Sequence, residues 1–228
     1  MKDSKKTPLF EAHKKQNATM SAFGEWSMPL YYQGVLAEHH LVRESVGFFD
    51  VSHMGELSIQ GSQALEFLQY ISINDVAKLS VGQGQYSCFC NDLGGIVDDL
   101  IIYRLAENDY LVCVNASNTQ KDYQWALKQS ERFSDLTVKN TSDNWGQIAV
   151  QGPHSLKLLQ SIFPKDELES LAYMKIKPTS LNEHSCLIAQ TGYTGEKGYE
   201  IYLPTEATLS MWEQLCRLSK NHNGGPCG

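Results

Sequence analysis

The chain has 228 residues, 42% of them apolar and 20% charged, enough to bury a sizeable core in one or two domains. A net charge of −7 argues against a nucleic-acid surface as its main business, and no apolar run reaches membrane-spanning length. Six cysteines are scattered with no metal-type CxxC pair, which points to reduced thiols in a cytoplasmic setting and to no metal site.

The first residues, MKDSKKTPLFEAHKKQ, carry lysines but no apolar stretch of a secretory signal, and they are not an Arg-rich, acid-free transit peptide. Lys2, Lys5 and Lys6 read as a solvated tail. Residues 35–46 predict a helix with Gly47 as the residue just past its end. Alternation over 56–60 predicts a strand, and Ser62 is a candidate cap for a helix through Ala64, Leu65, Leu68 and Ile71. GQYSCFCN and GGIVDDLIIYRL predict two strands around a turn at 91–95, and DYLVCVN a third. Asn118 or Thr119 is expected to cap a helix through Trp125 and Leu127. WGQIAVQGP reads as a strand stopped by Gly152-Pro153, and residues 155–163 as a helix. SCLIAQTGYTGEKGYEIYLP reads as two strands around a glycine-rich loop. A last helix from a Thr205 cap places Leu209, Trp212, Leu215 and Cys216 on its apolar side. The pattern is mixed α+β, not a regular βαβ series.

Asp98 and Asp99 stand inside a strand that otherwise reads as buried, where an ionised carboxylate is costly unless paired. Strand periodicity puts Val97, Asp99, Ile101 and Tyr103 on one face and Asp98, Leu100 and Ile102 on the other. Asp99 and Tyr103 are then about 13 Å apart at ~3.3 Å per residue, enough to span a small ligand. On the residues alone two readings stand side by side: a ligand-facing carboxylate, or one Asp on backbone amides and the other in solvent. His53 reads as a structural histidine with a polar partner. The TGYTGEKG glycines lack the Lys-Ser/Thr pair of a phosphate loop and read as shaping the loop that presents Tyr193.

Several blocks, in order, resemble the aminomethyltransferase family, the T-protein of the glycine cleavage system. They are TPLFEAH, MPLYY, VGFFDVSHMGE, NDLGGIVDDLIIYR, VNASN, VQGP and TGYTGEKGYEIY. The resemblance implies a two-domain folate-binding fold: residues 1–51 with 143–228 form a discontinuous first domain, and 52–142 an inserted one. It implies that tetrahydrofolate is the co-substrate and that the lipoylated H-protein is the partner. The reaction moves the methylene of an aminomethyl-dihydrolipoyl arm to tetrahydrofolate with release of ammonia. By the same resemblance Asp99 is the catalytic carboxylate; Tyr86, Tyr103, Tyr173 and Tyr193 line the folate pocket; and Glu200 holds the pterin edge. Family members often have tyrosine where Met174 stands and arginine where Gln190 stands. The family also continues beyond the NGGPCG position into an arginine-bearing LGARD segment and a jelly-roll-like domain, so a fragment of a longer protein is expected. Two alternatives share the fold: the folate-binding tail of a dimethylglycine- or sarcosine-oxidising system, and a non-enzymatic folate-binding protein of iron–sulfur assembly.

Overall fold

A computed structural model describes residues 4–228. In chain order the helices are α1 (Phe10–Lys15), α2 (Val35–Glu44), α3 (Ala64–Ile71), α4 (Thr119–Ser130), α5 (Ser155–Leu159), α6 (Lys165–Glu169) and α7 (Thr205–Leu218). The strands are β1 (Thr19–Phe23), β2 (Trp26–Tyr31), β3 (Gly47–Asp50), β4 (Gly55–Gln60), β5 (Gln83–Cys90), β6 (Ile96–Ala106) and β7 (Asp109–Val114). They continue with β8 (Thr137–Asn140), β9 (Trp145–Gln151), β10 (Ile176–Leu181), β11 (His184–Ala189), β12 (Gly198–Pro204) and β13 (Gly225–Cys227). Two compact units result. One takes the chain up to His53, then Asn144–Tyr173 and Lys177–Gly228; the other takes Met54–Asp143 with Met174–Ile176.

The first unit is built on a sheet of order β10-β11-β12-β9-β3-β13, with β1 and β2 as a separate hairpin. β9 sits between β3 and β12, antiparallel to each. Val150, Ile148, Tyr199 and Ile201 put their side chains into a core closed by Met211, Trp212 and Leu215 of α7. The α7 face differs from the sequence expectation. Ala207, Thr208, Met211, Trp212 and Leu215 are buried, while Leu209 is 44% exposed. Thr208 can face the sheet because its hydroxyl is satisfied within the helix, donating to the Pro204 carbonyl at 3.3 Å. Gly146 on β9 leaves it room: a Cβ there would lie 2.0 Å from Thr208 Oγ1.

The second unit is a sheet of order β5-β6-β7-β4-β8. Leu57, Ile59, Phe89, Leu100, Ile102, Val112 and Val114 line one face and pack with Phe67, Leu68 and Ile71 of α3 and Ala126 of α4. The other face carries Tyr86, Asp99, Ile101, Tyr103 and Cys113 by register. The backbone at 174–176 belongs with this unit, because Met174 O accepts from Gly84 N at 2.7 Å and Ile176 N donates to Gly82 O at 3.0 Å.

Helix ends depart from expectation. Gly47 opens β3 instead of closing α2; a Cβ on it would meet Cys227 Sγ at 2.6 Å and Val42 at 2.7 Å. Ser62 caps nothing, since its amide and hydroxyl both reach the Asp135 carboxylate. Asn118 is at the N-cap of α4, but its side chain donates elsewhere. Thr205 is inside α7, with Pro204 as the N-cap. The helix expected over 155–163 is a five-residue α5. Lys5 and Lys6 are exposed, as the tail reading expects, with Lys5 paired to Glu25 at 2.9 Å and Lys6 over Phe10 at 4.6 Å; Lys2 lies outside the described residues. The six cysteines are free thiols. No helix among the described residues is long and apolar enough to cross a membrane.

Candidate functional site

The strand of paired aspartates divides them by face. Asp98 is buried on the helix side and collects donors: Asn118 Nδ2 at 2.7 Å, Asn115 Nδ2 at 3.2 Å to each oxygen, and Asn115 N at 3.4 Å. Asp99 is on the outer face, half-buried. Its Oδ2 accepts from the Tyr86 hydroxyl at 2.6 Å and its Oδ1 from Asn115 Nδ2 at 3.1 Å. Tyr86 is 55% exposed, so its ring stands at the surface and its hydroxyl aims the carboxylate. Burial first, then the Asp99 charge, raises the neighbouring Cys88 thiol above its usual range and keeps it protonated. Tyr103 is fully buried on the same face. Its ring lies against Gly84, the residue opposite it in β5, where a Cβ would meet Cδ1 and Cε1 at 2.7 Å.

The other candidates belong to the first unit. It holds a pocket of about 430 Å³ with walls from Phe23, Met28, Phe49 and Ala149 and polar groups from Asp50, His53, Gln151 and Glu200. Glu200 accepts from Gln147 Nε2 at 3.1 Å and from the Thr191 hydroxyl. Burial pushes its carboxyl above the ordinary range, and these two bonds oppose the shift. Tyr193 lines the same pocket and is fully exposed. Its loop is folded around Gln151, which donates to Thr191 O at 3.2 Å and accepts from Thr194 Oγ1 at 2.9 Å. Only glycine fits on either side of that amide: a Cβ at Gly192 or Gly198 would come within 2.0 and 2.2 Å of Gln151 Oε1. Arg43 clamps the loop tip, donating to Thr194 O at 2.6 Å and Glu196 Oε1 at 3.0 Å. Tyr173 is 71% exposed and lines no part of this pocket. The Gln190 amide lies between Leu171 O and Tyr173 N, and its orientation is assigned so that its nitrogen donates to the former and its oxygen accepts from the latter.

Sequence reasoning missed Gln151, Arg43 and a buried chain beneath the pocket. Asp50 Oδ2 accepts from Thr7 Oγ1 at 2.6 Å and bonds His13 Nε2 at 2.8 Å; His13 Nδ1 in turn bonds the Tyr32 hydroxyl at 2.7 Å. Burial alone would raise Asp50, but the bonds from His13, Thr7 and Ser52 outweigh it and hold the carboxyl low. His53 was expected to have a polar partner. Instead its Nδ1 has none among the described residues, and its ring packs edge-on to Phe23 at 5.3 Å. Burial lowers its pKa against the pull of Asp50, so the imidazole is neutral at pH 7.

One unit is a discontinuous sheet with a largely apolar pocket and a half-buried glutamate at its wall, the other an inserted sheet carrying Asp99, and the class is that of a two-unit α+β protein. The GCVT N-terminal domain family matches residues 9–228, and the chain belongs to that family. It is 43% identical over all its 228 residues to an aminomethyltransferase of Desulfitobacterium hafniense, spanning 62% of that protein's length. The glycine cleavage system aminomethyltransferase T of Bartonella henselae superimposes with a TM-score of 0.84 at 37% identity, over 92% of this chain and 56% of that one. A chain of the heterotetrameric sarcosine oxidase of Corynebacterium sp. U-96 shares the fold at a TM-score of 0.63 and 16% identity, over 95% of each.

Proposed function

We propose that the protein of which this chain is part is a tetrahydrofolate-dependent aminomethyltransferase of the glycine cleavage system, acting on an aminomethyl group carried by the lipoylated H-protein. The observation that carries this reading is Asp99: a half-exposed carboxylate, aimed by Tyr86 and Asn115, on the outer face of its strand. Bound tetrahydrofolate supplies the nucleophilic nitrogen, so the protein's task is positioning and proton control.

The residues present fit such a group. A folate offers a flat heteroaromatic ring with adjacent N–H donors, and the pocket presents apolar walls beside the Glu200 carboxylate. Each Glu200 oxygen accepts one bond from the protein and has a second lone pair for a ring N–H. In the inserted unit, Asp99 is the group suited to take a proton released in the reaction, and Tyr86 and Asn115 would fix where that proton is held. Tyr193, presented by the Gln151-braced loop, offers an aromatic face to the first unit's pocket. The test is ammonia release from aminomethylated H-protein by the complete gene product. Dependence on tetrahydrofolate, and loss of turnover in Asp99→Asn, support the reading; release without folate sinks it.

A further inference from the structure

The loop that presents Tyr193 joins β11 to β12, and its two ends are fixed by the sheet unit beneath. At its start, Thr191 O accepts from Gln151 Nε2 at 3.2 Å, and the Thr191 hydroxyl donates to the Glu200 carboxylate. At its end, Lys197 O accepts from Gly152 N at 2.9 Å and from the Ser155 hydroxyl at 3.0 Å. The stretch between has a freer backbone, with Gly192 and Gly195 in it and a φ of 77° at Gly195. Tyr193 is fully exposed, so its ring at the pocket wall is placed by the loop backbone rather than by packing.

Arg43, in the last turn of α2, pins that middle stretch from outside. Its Nη1 donates to Thr194 O at 2.6 Å and to Glu196 Oε1 at 3.0 Å. From the inner side, Gln151 Oε1 accepts from the Thr194 hydroxyl at 2.9 Å. The residue that follows Tyr193 is therefore held from two directions. The base of the arginine is firm, because the end of α2 lies directly on Gly152: a Cβ there would come within 2.5 Å of Ser45 O and 2.7 Å of Val42 O. The arginine side chain is 41% exposed and is not a wall of the pocket, so it meets a bound molecule through the loop alone.

We propose that Arg43 is a positioning residue for the pocket of the first unit: by holding Thr194 it keeps the Tyr193 ring where a bound aromatic ring can meet it. The part of this that concerns tetrahydrofolate rests on the folate-site reading. The ion pair with Glu196 is weak on its own at this exposure. The bond to the Thr194 carbonyl adds direction, since it fixes the peptide next to Tyr193. A binding arrangement that is populated part of the time weakens apparent affinity by that fraction, so a released loop aimed about a tenth of the time binds roughly tenfold more weakly. The loss falls on KM, because the reacting atoms do not touch Arg43.

The experiment uses the complete gene product in wild type, Arg43→Gln, Arg43→Lys, Tyr193→Ala and the Arg43→Gln/Tyr193→Ala double variant. Without ligand, NMR relaxation of backbone amides should show Thr194, Gly195 and Glu196 loosened in Arg43→Gln while Tyr199 and Ile201 of β12 stay rigid. An unchanged loop overturns the hold. With tetrahydrofolate, calorimetric titration should give Arg43→Gln a roughly tenfold weaker affinity, and kcat at saturation and the melting temperature should not move. Arg43→Lys, which keeps a charged donor in reach of the loop, should recover affinity. In the double variant Arg43→Gln should add nothing to the loss from Tyr193→Ala, because its effect runs through that ring. Additive losses, an unchanged affinity, or a loss that comes with a lowered melting temperature overturn the positioning role. If wild type does not bind tetrahydrofolate while Arg43→Gln loosens the loop, the functional reading falls and the hold of Arg43 on the loop stands.

Discussion

A carboxylate inside a sheet is tolerated where donors reach it, and Asp98 and Asp99 meet that condition on opposite faces. Removing charge from each has opposite consequences. Asp99→Asn keeps volume and removes basicity at a half-exposed position, so turnover of the complete protein should fall within the ~10²–10⁴-fold typical of proton-control groups. Its melting temperature should hardly change. Asp98→Asn breaks a buried set of bonds to Asn115 and Asn118 and should cost roughly 1–3 kcal/mol, read as a lowered melting temperature. A stable but dead Asp98→Asn beside an active Asp99→Asn would reverse the assignment. Glu56 makes a separate, pH-dependent case. It is buried with no partner on either oxygen among the described residues, and burial holds its carboxyl well above the usual range. A folded-state pKa above the unfolded value means that the folded protein binds the extra proton. The stabilisation is full below the unfolded value near 4.5 and is lost as pH rises through the folded one. Glu56→Met should therefore flatten the decline in unfolding free energy between pH 5 and pH 8, measured by denaturant titration. An unchanged decline would show that Glu56 ionises freely.

At the scale of elements, β5 and β6 show what a local sequence reading can and cannot reach. Alternation correctly separates the Asp98 and Asp99 faces, because side-chain direction in a strand depends only on residue parity. Helix caps are beyond such a reading even where the position is right, since a cap depends on where a side chain spends its bonds. Ser62 spends them on Asp135, seventy-three positions away, and Asn118 on Asp98. The β1–β2 hairpin carries Pro29 and a turn at Gly24 with φ of 59°, which hides it from a pattern search. Gly84 gives the element-scale prediction. Its register opposite Tyr103 brings a fully buried ring onto bare backbone. Gly84→Ala must push that ring aside and should destabilise by about 1–3 kcal/mol, the usual penalty for overpacking. For a chain of this size each kcal/mol lowers the melting temperature by about 2–4 °C, which differential scanning calorimetry resolves. No shift would mean that Tyr103 is loosely held.

At the scale of the whole molecule, the nesting of the two units is the feature that sequence periodicity cannot carry, because the β3–β9 pairing joins residues about a hundred positions apart. The candidates Asp99 and Glu200 stand inside short sequence blocks, and their proposed roles come from the family resemblance those blocks carry. Site residues were hidden where the partner came from elsewhere in the chain: Gln151 braces a loop forty residues later, and Arg43 reaches Thr194 across 151 positions. Each unit nevertheless encloses its own core, one around Trp212 and Val150, the other around Phe67 and Ile102. Separate cores allow separate opening, since amide protection follows the stability of the cooperative unit that contains it. Leu68→Ala removes a fully buried side chain from the second core and should cost about 2–5 kcal/mol there. Native-state hydrogen exchange should then accelerate for β6 and β7 amides by the factor that this loss implies. Amides of β9 and β12, such as Ile148 and Ile201, should keep their protection. Equal acceleration in both sets would show that the two cores unfold as one.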